Sequence, residues 1–371
     1  MSLFYLGDNM LEIALEVLNK ITSFGYKAYI VGGYPRDLYL KRGSVDIDIC
    51  TDAKPMEIMN IFSEVTANNS EYGSVTISYN KVKFEITTFR IEGKYKNFRS
   101  PSSIQYIDSL EEDLKRRDFT INTLCIDKDG NTIDLLNAKS DLDNKIIRMI
   151  GSPKVRLKED VLRILRAVRF ATQFNFELEP VLKAYIRKYA PFLKKLSQDR
   201  KKEELDLIFS SSNKAYGIEL LCDLKLADYL DIAMLRKIKI TPSSFVTWAQ
   251  LNVLDKYNFT TSEREIIHGI LKLKDANLLD EKVLYENDLY ICSLACELND
   301  INKKELNEVY SQMPIHKKSD IALRPEEICE LLNREPGSFL KEIITDLEDQ
   351  ILTHKLENDK MSLKKYIANK Y

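Results

Sequence analysis

Asp46 and Asp48 sit in the string Val45-Asp46-Ile47-Asp48-Ile49, where acidic and apolar residues alternate. At the two-residue period of a β-strand, both carboxylates emerge on one face while the valine and isoleucines face the core. Like charges this close repel unless a divalent ion lies between them, and hard Mg²⁺ suits carboxylate oxygens combined with substrate phosphates. Just upstream, the apolar run Tyr29-Ile30-Val31 enters Gly32-Gly33 and continues through Pro35-Arg36-Asp37. That pattern predicts a strand, a tight turn and the start of a helix. Backbone N–H groups at such a turn can take phosphate oxygens. A lone Asp-x-Asp or a lone glycine pair is commonly a solvated face or a simple turn. The two together, with Arg36 and Asp37 between them, point to a nucleoside-triphosphate site.

A second constellation lies at Lys158 to Phe170, KEDVLRILRAVRF. Read as one helix, it gathers Val161, Ile164, Leu165 and Val168 on one side and spreads Asp160, Arg163, Arg166 and Arg169 over the other. Asp160 and Arg163, three apart, become neighbours that present an acceptor beside a donor. Cytosine and adenine each offer an exocyclic amino donor beside a ring-nitrogen acceptor, so one Asp–Arg pair can hydrogen-bond either base. Guanine and uracil reverse that polarity, and an unpaired buried polar group costs roughly 1 to 3 kcal/mol. Arg166 and Arg169 remain to meet phosphate or to brace the helix. Taken alone, the segment reads equally as a basic amphipathic helix packed by its apolar face.

The elements that position these residues are legible from periodicity and turn chemistry. Asn9 to Phe24 has helical spacing and stops at Gly25; Lys54 to Phe62 is a helix opened by Pro55; Val75 to Tyr79 and Val82 to Phe89 are strands joined by Asn80-Lys81. Arg90 to Pro101 is polar, basic and without a period, which predicts a mobile surface loop. In Leu114 to Asn122, Arg116 and Arg117 suit phosphate, while Asp118 and Asn122 can orient an arginine or bind ribose hydroxyls. Asp134 to Asn137 is expected to close the sheet, and Gly151-Ser152-Pro153 marks a candidate boundary. From Lys183 onward the periodicity is helical. The expected architecture is a mixed α/β head followed by an all-α half.

In order along the chain, Gly32-Gly33 with Pro35-Arg36-Asp37 and Asp46-Ile47-Asp48, then Leu114 to Asn122, then Glu159-Asp160 with Arg163, resemble successive motifs of the bacterial-type (class II) tRNA nucleotidyltransferases and poly(A) polymerases. These belong to the wider DNA polymerase beta superfamily. Arg200 to Leu205 resembles the helix that supports the last motif. The resemblance is residue-specific from about Tyr29 to Leu207 and one of pattern beyond, and it is strongest to the CCA-adding members. It implies a polymerase-beta-like head at 1–150, a base-recognising helical neck at 151–210, and a helical body and tail at 211–371 that binds tRNA. It further implies catalysis by Asp46 and Asp48 holding Mg²⁺, with Glu85 either a third carboxylate beside them or an ordinary outward-facing glutamate. Nucleotide binding would fall to Gly32, Gly33, Arg36, Asp37, Arg116, Arg117, Asp118, Asn122, Asp160, Arg163, Arg166 and Arg169. The implied partners are a tRNA 3′ end, ATP and CTP. The 90–101 segment resembles the flexible loop of CCA-adding members, but Glu92 and Asn97 stand where aspartates are common. An enzyme adding only A or only CC, a poly(A) polymerase, and a non-catalytic RNA-binding protein with a relic head are the rival readings.

The bulk composition is compatible with these expectations. At 371 residues, 44% hydrophobic and 30% charged, the chain is long enough for more than one core. No apolar run is long enough to span a bilayer and the N-terminus lacks a signal pattern, so a cytoplasmic protein is expected. The net charge of −2 gives no global sign of a polyanion partner, so RNA contact must come from local basic surface. Lysines 355, 360, 364, 365 and 370 make the end basic, either to hold tRNA phosphates or as a solvated helix end. The six cysteines lack metal-ligand spacing and read as buried thiols; Trp248 reads as core.

Overall fold

The structure is a computed structural model that describes residues 3–44, 46–93, 95–96, 100–101 and 103–371. Val45 and Asn97 lie outside the described residues. The chain divides into two compact units, Met1–Arg236 and Lys237–Tyr371.

In the first unit, helix α1 (Leu3–Ser23) buries Ala14, Val17, Leu18 and Ile21 and ends ahead of Gly25, whose φ of 90° no side chain favours. It packs on β1 (Ala28–Val31), which leads into α2 (Gly33–Tyr39), β2 (Ile47–Thr51) and α3 (Pro55–Ile61). Three strands follow: β3 (Val65–Asn69), β4 (Ser74–Tyr79) and β5 (Val82–Thr88). Asn80 and Lys81 both take positive φ, 49° and 64°, the conformation a two-residue hairpin turn demands. Strand β3 is an addition to the sequence reading: its residues Thr66 to Asn69 are exposed, so it carries no apolar alternation to reveal it.

Arg90 to Pro101 is not a loop throughout. Strand β6 (Arg90–Glu92) pairs antiparallel with β9 (Ile104–Tyr106), and β7 (Tyr95–Lys96) pairs with β8 (Ser100–Pro101). Among the described residues these ladders are short, too short to leave a period in the sequence. After α4 (Leu110–Lys115), the sheet is completed by β10 (Cys125–Ile126) and β11 (Thr132–Ile133). Asp134 to Asn137, expected to close the sheet, instead follows its edge strand. The Asp134 carboxylate accepts the Ala138 and Lys139 N–H groups and so starts α5 (Ala138–Asp143).

The seven-stranded sheet runs β11-β10-β1-β2-β5-β4-β3. Only β2 and β5 pair in parallel, with Asp48 opposite Glu85; the other neighbours are antiparallel. Along β2, Ile47 and Ile49 are buried against α1 and α3 while Asp48 is exposed, as the alternation predicts.

Strand β12 (Ile146–Ile147) leaves the head and pairs in parallel with β13 (Glu177–Leu178), and Arg148 Nε bonds Asp141 at 3.1 Å. Between them, the expected helix over 158–170 is interrupted. Helix α6 (Pro153–Glu159) ends at Asp160, whose backbone is extended (φ −136°, ψ 108°), and α7 (Leu162–Phe174) begins anew. The break is stabilised because Asp160 Oδ1 accepts the Leu162 N–H at 3.0 Å, satisfying a donor at the new helix start. Helix α7 packs against α9 (Gln198–Phe209) and α10 (Lys214–Asp223), with α8 (Pro180–Tyr189) packed on α6. At Gly217 of α10 a Cβ would lie 2.5 Å from Thr172 Oγ1, so this close approach to α7 requires glycine.

The second unit is built of helices, among them Ser244–Leu251, Thr261–Lys272, Leu289–Asn299, Pro325–Leu332, Phe339–Leu352 and Lys360–Lys370. No strand occurs among its described residues. Trp248 is buried against Tyr257 and Phe259, a core residue as read. Cys50, Cys125, Cys222, Cys292 and Cys296 are buried and Cys329 is partly so, all as free thiols. Among the described residues, no helix is long and apolar enough to cross a membrane.

Candidate active site

A polar cavity of about 610 Å³ opens in the first unit, where the end of β1, the start of β2, the α4 terminus and the α6–α7 break converge. Of the residues singled out from sequence, Gly32, Gly33, Arg36, Asp46, Asp48, Arg116, Arg117, Asp118, Asn122, Asp160, Arg163, Arg166 and Arg169 all line it. Asp37 and Glu85 do not.

The acidic side is made by Asp46 and Asp48. Gly32 adopts φ 86° and ψ −126°, and a Cβ there would stand 3.2 Å from Asp48 Oδ2. Backbone conformation and close approach thus both require glycine at this turn. The Asp48 carboxyl is pushed up to about 6, by desolvation first and by the Glu85 charge next, with Arg117 opposing and Asp46 adding to the rise. Crowded carboxylates in this state have a deficit of positive charge, which fits a divalent cation. Among the described residues no three His, Cys, Asp or Glu side chains gather into a closed cage. An ion here would rest on one or two carboxylates and complete its shell from phosphate and water, the habit of Mg²⁺.

The basic side is braced rather than loose. Arg36 forks onto Asp37, with Nε to Oδ1 at 2.9 Å and Nη2 to Oδ2 at 3.0 Å, and its Nη1 donates to Asn122 Oδ1 at 2.5 Å. Asn122 Nδ2 donates to Asp118 Oδ1 at 3.1 Å, and Asp118 Oδ2 accepts Arg166 Nη2 at 2.6 Å. Asp37, Arg36, Asn122, Asp118 and Arg166 therefore form one continuous chain. Burial alone would raise the Asp118 carboxyl, but Arg166, Asn122 and the Phe119 N–H outweigh it and hold it low. Asp118 and Asn122 hold arginines, the first of the two roles their types suggested.

Arg169 Nε donates to Glu204 Oε2 at 2.6 Å. The Phe170 ring lies under three guanidiniums, with Arg169 at 4.0 Å, Arg166 at 5.4 Å and Arg36 at 5.5 Å from its centroid. At the helix break, Arg163 Nη1 donates to the Arg156 carbonyl at 2.9 Å and to Glu159 Oε2 at 3.1 Å. Asp160 and Arg163 are thus a cap and a first-turn residue, not neighbours on one helix surface, yet both face the same cavity. Burial raises the Asp160 carboxyl; Arg200, whose Nη1 lies 3.8 Å away, the Leu162 N–H, Arg163 and Arg166 oppose it.

Sequence reasoning did not single out Asp113 or Phe170, and it placed Glu204 only within the supporting stretch Arg200 to Leu205, without its bond to Arg169. Phe170 directly follows the arginine row, and Asp113 stands three and four residues before Arg116 and Arg117 on a short helix, a spacing that could have flagged it.

A mixed sheet with Asp48 on β2 and Asp46 just ahead of that strand, beside a glycine turn and faced by a row of braced arginines, defines a nucleotidyltransferase. The family description "Poly A polymerase head domain" matches residues 28–148, "Probable RNA and SrmB- binding site of polymerase A" matches 175–233, and that of tRNA nucleotidyltransferase domain 2 matches 258–367. The chain is 32% identical to the CCA-adding enzyme of Listeria monocytogenes serotype 4a (strain HCC23), covering 96% of this chain and 97% of that one. It is 31% identical to the CCA-adding enzyme of Bacillus subtilis (strain 168), covering 95% and 97%. The crystal structure of the Bacillus stearothermophilus CCA-adding enzyme in complex with CTP superposes with a TM-score of 0.83 at 26% identity, covering 96% of each chain. This chain belongs to the CCA-adding enzyme family of tRNA nucleotidyltransferases. Members of that family generally use a divalent metal.

Proposed function

We propose that this enzyme adds CMP, CMP and AMP to the 3′ end of tRNA from CTP and ATP, releasing pyrophosphate, with Mg²⁺ as its ion. The observation that carries the reading is the convergence of Asp46 and Asp48 with Asp160 and Arg163 on one cavity of about 610 Å³. That volume suits a nucleotide-sized ligand.

Asp46 and Asp48 would hold the metal, with Glu85 alongside on β5 to tune its charge. When bound, the divalent ion lowers the pKa of the primer 3′-hydroxyl and neutralises the triphosphate. Gly32 and Gly33 leave room for the substrate beside Asp48. Arg36, Arg116, Arg117, Arg166 and Arg169 orient phosphates and ribose, with Arg36 fixed in advance by Asp37 and Asn122, Arg166 by Asp118 and Arg169 by Glu204. Asp160 and Arg163 offer an acceptor and a donor to the base edge, matching C and A. The cap and the α7 start hold them in place without a nucleic-acid template.

The functional parts are residues 1–150 as catalytic head, 151–210 as base-reading neck, and 211–371 as body and tail on the tRNA. In the tail, Lys360 pairs with Glu327 at 2.8 Å and Lys370 with Asp346 at 2.9 Å, whereas Lys364 and Lys365 are exposed and are the better phosphate contacts. The protein works in the cytoplasm, where its tRNA and triphosphates are found. Incubation with tRNAs truncated by one, two and three terminal nucleotides, each with a single triphosphate, tests the reading. Stepwise C, C and A addition supports it. Addition of A alone or CC alone would replace it with a partial enzyme, an untemplated A tract with a poly(A) polymerase, and no addition with a non-catalytic RNA binder.

A further inference from the structure

Asp113 belongs to none of the motifs above and does not line the cavity, yet it is fully buried, with an exposure of 0%. A carboxylate is placed there only if its oxygens are well satisfied. Its Oδ1 accepts Arg116 Nε at 2.7 Å and the Arg90 backbone N–H at 3.1 Å, and its Oδ2 accepts Arg117 Nη2 at 3.2 Å. One buried group thus takes hold of both cavity arginines of this segment and of the first residue of β6. Two adjacent guanidiniums repel each other, and without an anion behind them each would swing toward solvent or toward the strand acids.

We propose that Asp113 is a positioning residue for the substrate polyphosphate, acting through Arg116 and Arg117. It offsets their mutual repulsion from behind and aims their remaining donors into the cavity. Arg117 lines the cavity while Asp113 holds its Nη2; its Nε is buried without a hydrogen-bond partner, so an anionic oxygen is met by the cavity-facing remainder of the guanidinium. Arg116 is held at its other end as well, by Glu92 Oε1 at 3.3 Å from Nη1, so two acids on separate elements fix its plane. The role is distinct from base reading, because Asp160 and Arg163 lie at the α6–α7 break and share no hydrogen bond with Asp113 among those described. The inference rests on the nucleotidyl-transfer reading of the cavity.

The test uses the full chain with Asp113→Asn and Asp113→Glu. Steady-state CTP and ATP addition is measured at saturating tRNA, together with equilibrium binding of CTP in Mg²⁺ and a thermal melt. An asparagine offers one acceptor where two are used and turns a donor toward a guanidinium. The expected result is a rise of about tenfold in KM for both triphosphates, a kcat within about threefold of wild type, and an unchanged C-over-U preference. Asp113→Glu, which keeps the charge, is expected to recover part of the affinity. A folded Asp113→Asn with triphosphate KM and affinity within about twofold of wild type, changed only in melting temperature, would overturn the proposal; so would a loss confined to kcat or base choice. Should Asp113→Asn fail to fold, Asp113→Glu decides alone: a KM raised about threefold or more supports the proposal and an unchanged KM overturns it. A wild type that adds no nucleotide but binds CTP, with binding weakened by Asp113→Asn, would sink the functional reading and keep this inference. A wild type that binds no CTP would sink both.

Discussion

Changing Asp160 to asparagine separates two roles that the structure puts on one side chain. Asp160 Oδ1 caps Leu162 at 3.0 Å, and the same carboxylate faces the cavity beside Arg163. Asparagine caps a helix about as well as aspartate, so Asp160→Asn should keep its stability to within a few tenths of a kcal/mol. Asp160→Ala loses the cap and should be destabilised by about 1 kcal/mol. Against uracil, wild type faces two mismatches: the Asp160 acceptor meets O4, and the Arg163 donor meets N3–H. At roughly 1 to 3 kcal/mol each, rejection amounts to about 2 to 6 kcal/mol. In Asp160→Asn the new amide can rotate its NH₂ toward O4 and relieve one mismatch, while the guanidinium clash persists. The kcat/KM ratio of CTP to UTP on tRNA lacking CCA should therefore fall by about 5- to 150-fold. The assay is single-nucleotide incorporation with each triphosphate, with chemical denaturation of both variants alongside. A ratio within about twofold of wild type in a normally stable Asp160→Asn would refute the base-reading role.

Other perturbations test the rest of the site. Asp48→Asn should cut nucleotide addition by on the order of 100-fold or more, with tRNA affinity by gel shift little changed; full activity would refute the metal assignment. Because the Asp48 carboxyl is raised to about 6, protons should compete with the metal below that pH. Half-saturating Mg²⁺ should be flat above it and climb by up to about tenfold per pH unit beneath it. The sign for folding is opposite to that of a salt-bridged aspartate: the protonated form is favoured in the fold. The metal-free protein should lose stability as pH rises from about 4 to about 6, and Mg²⁺ should restore it above that range, read by thermal melts with and without the ion. Gly32→Ala forces a side chain into φ 86° and against Asp48, so urea unfolding should register a loss of about 1 to 3 kcal/mol together with weaker Mg²⁺ activation. Replacing Lys364 and Lys365 with alanine should lower tRNA affinity and flatten its log-log salt dependence by about 1.4 to 1.8; an unchanged slope would remove these lysines from the interface.

How far the sequence could be read depends on how local each cause is. Asp48 faces the cleft and Ile47 and Ile49 face the core because a strand's two-residue period allows nothing else once one face is buried. The Asn80-Lys81 turn was legible for the same reason: its left-handed pair is a local demand. The break at Asp160 was not, since Lys158-Glu159-Asp160 are adequate helix residues and the sequence does not say whether an aspartate caps a helix or rides on one. Partnerships across the fold, such as Arg36 with Asn122 and Arg169 with Glu204, lie 86 and 35 residues apart and depend on packing no local pattern encodes.

The order of strands in the sheet also bears on how this protein is made. Strand β1 lies between β2 and β10, so its backbone stays unpaired on one edge until residues 125 and 126 have been synthesised. A ribosome releasing residues one by one would leave that edge of β1, beside the glycine turn, open for nearly a hundred residues before β10 can close it, a long exposure for an open strand edge. Translation speed between β5 and β10, rather than any step of catalysis, is then the variable that should govern how much of the nascent chain reaches a working enzyme and how much is lost to aggregation.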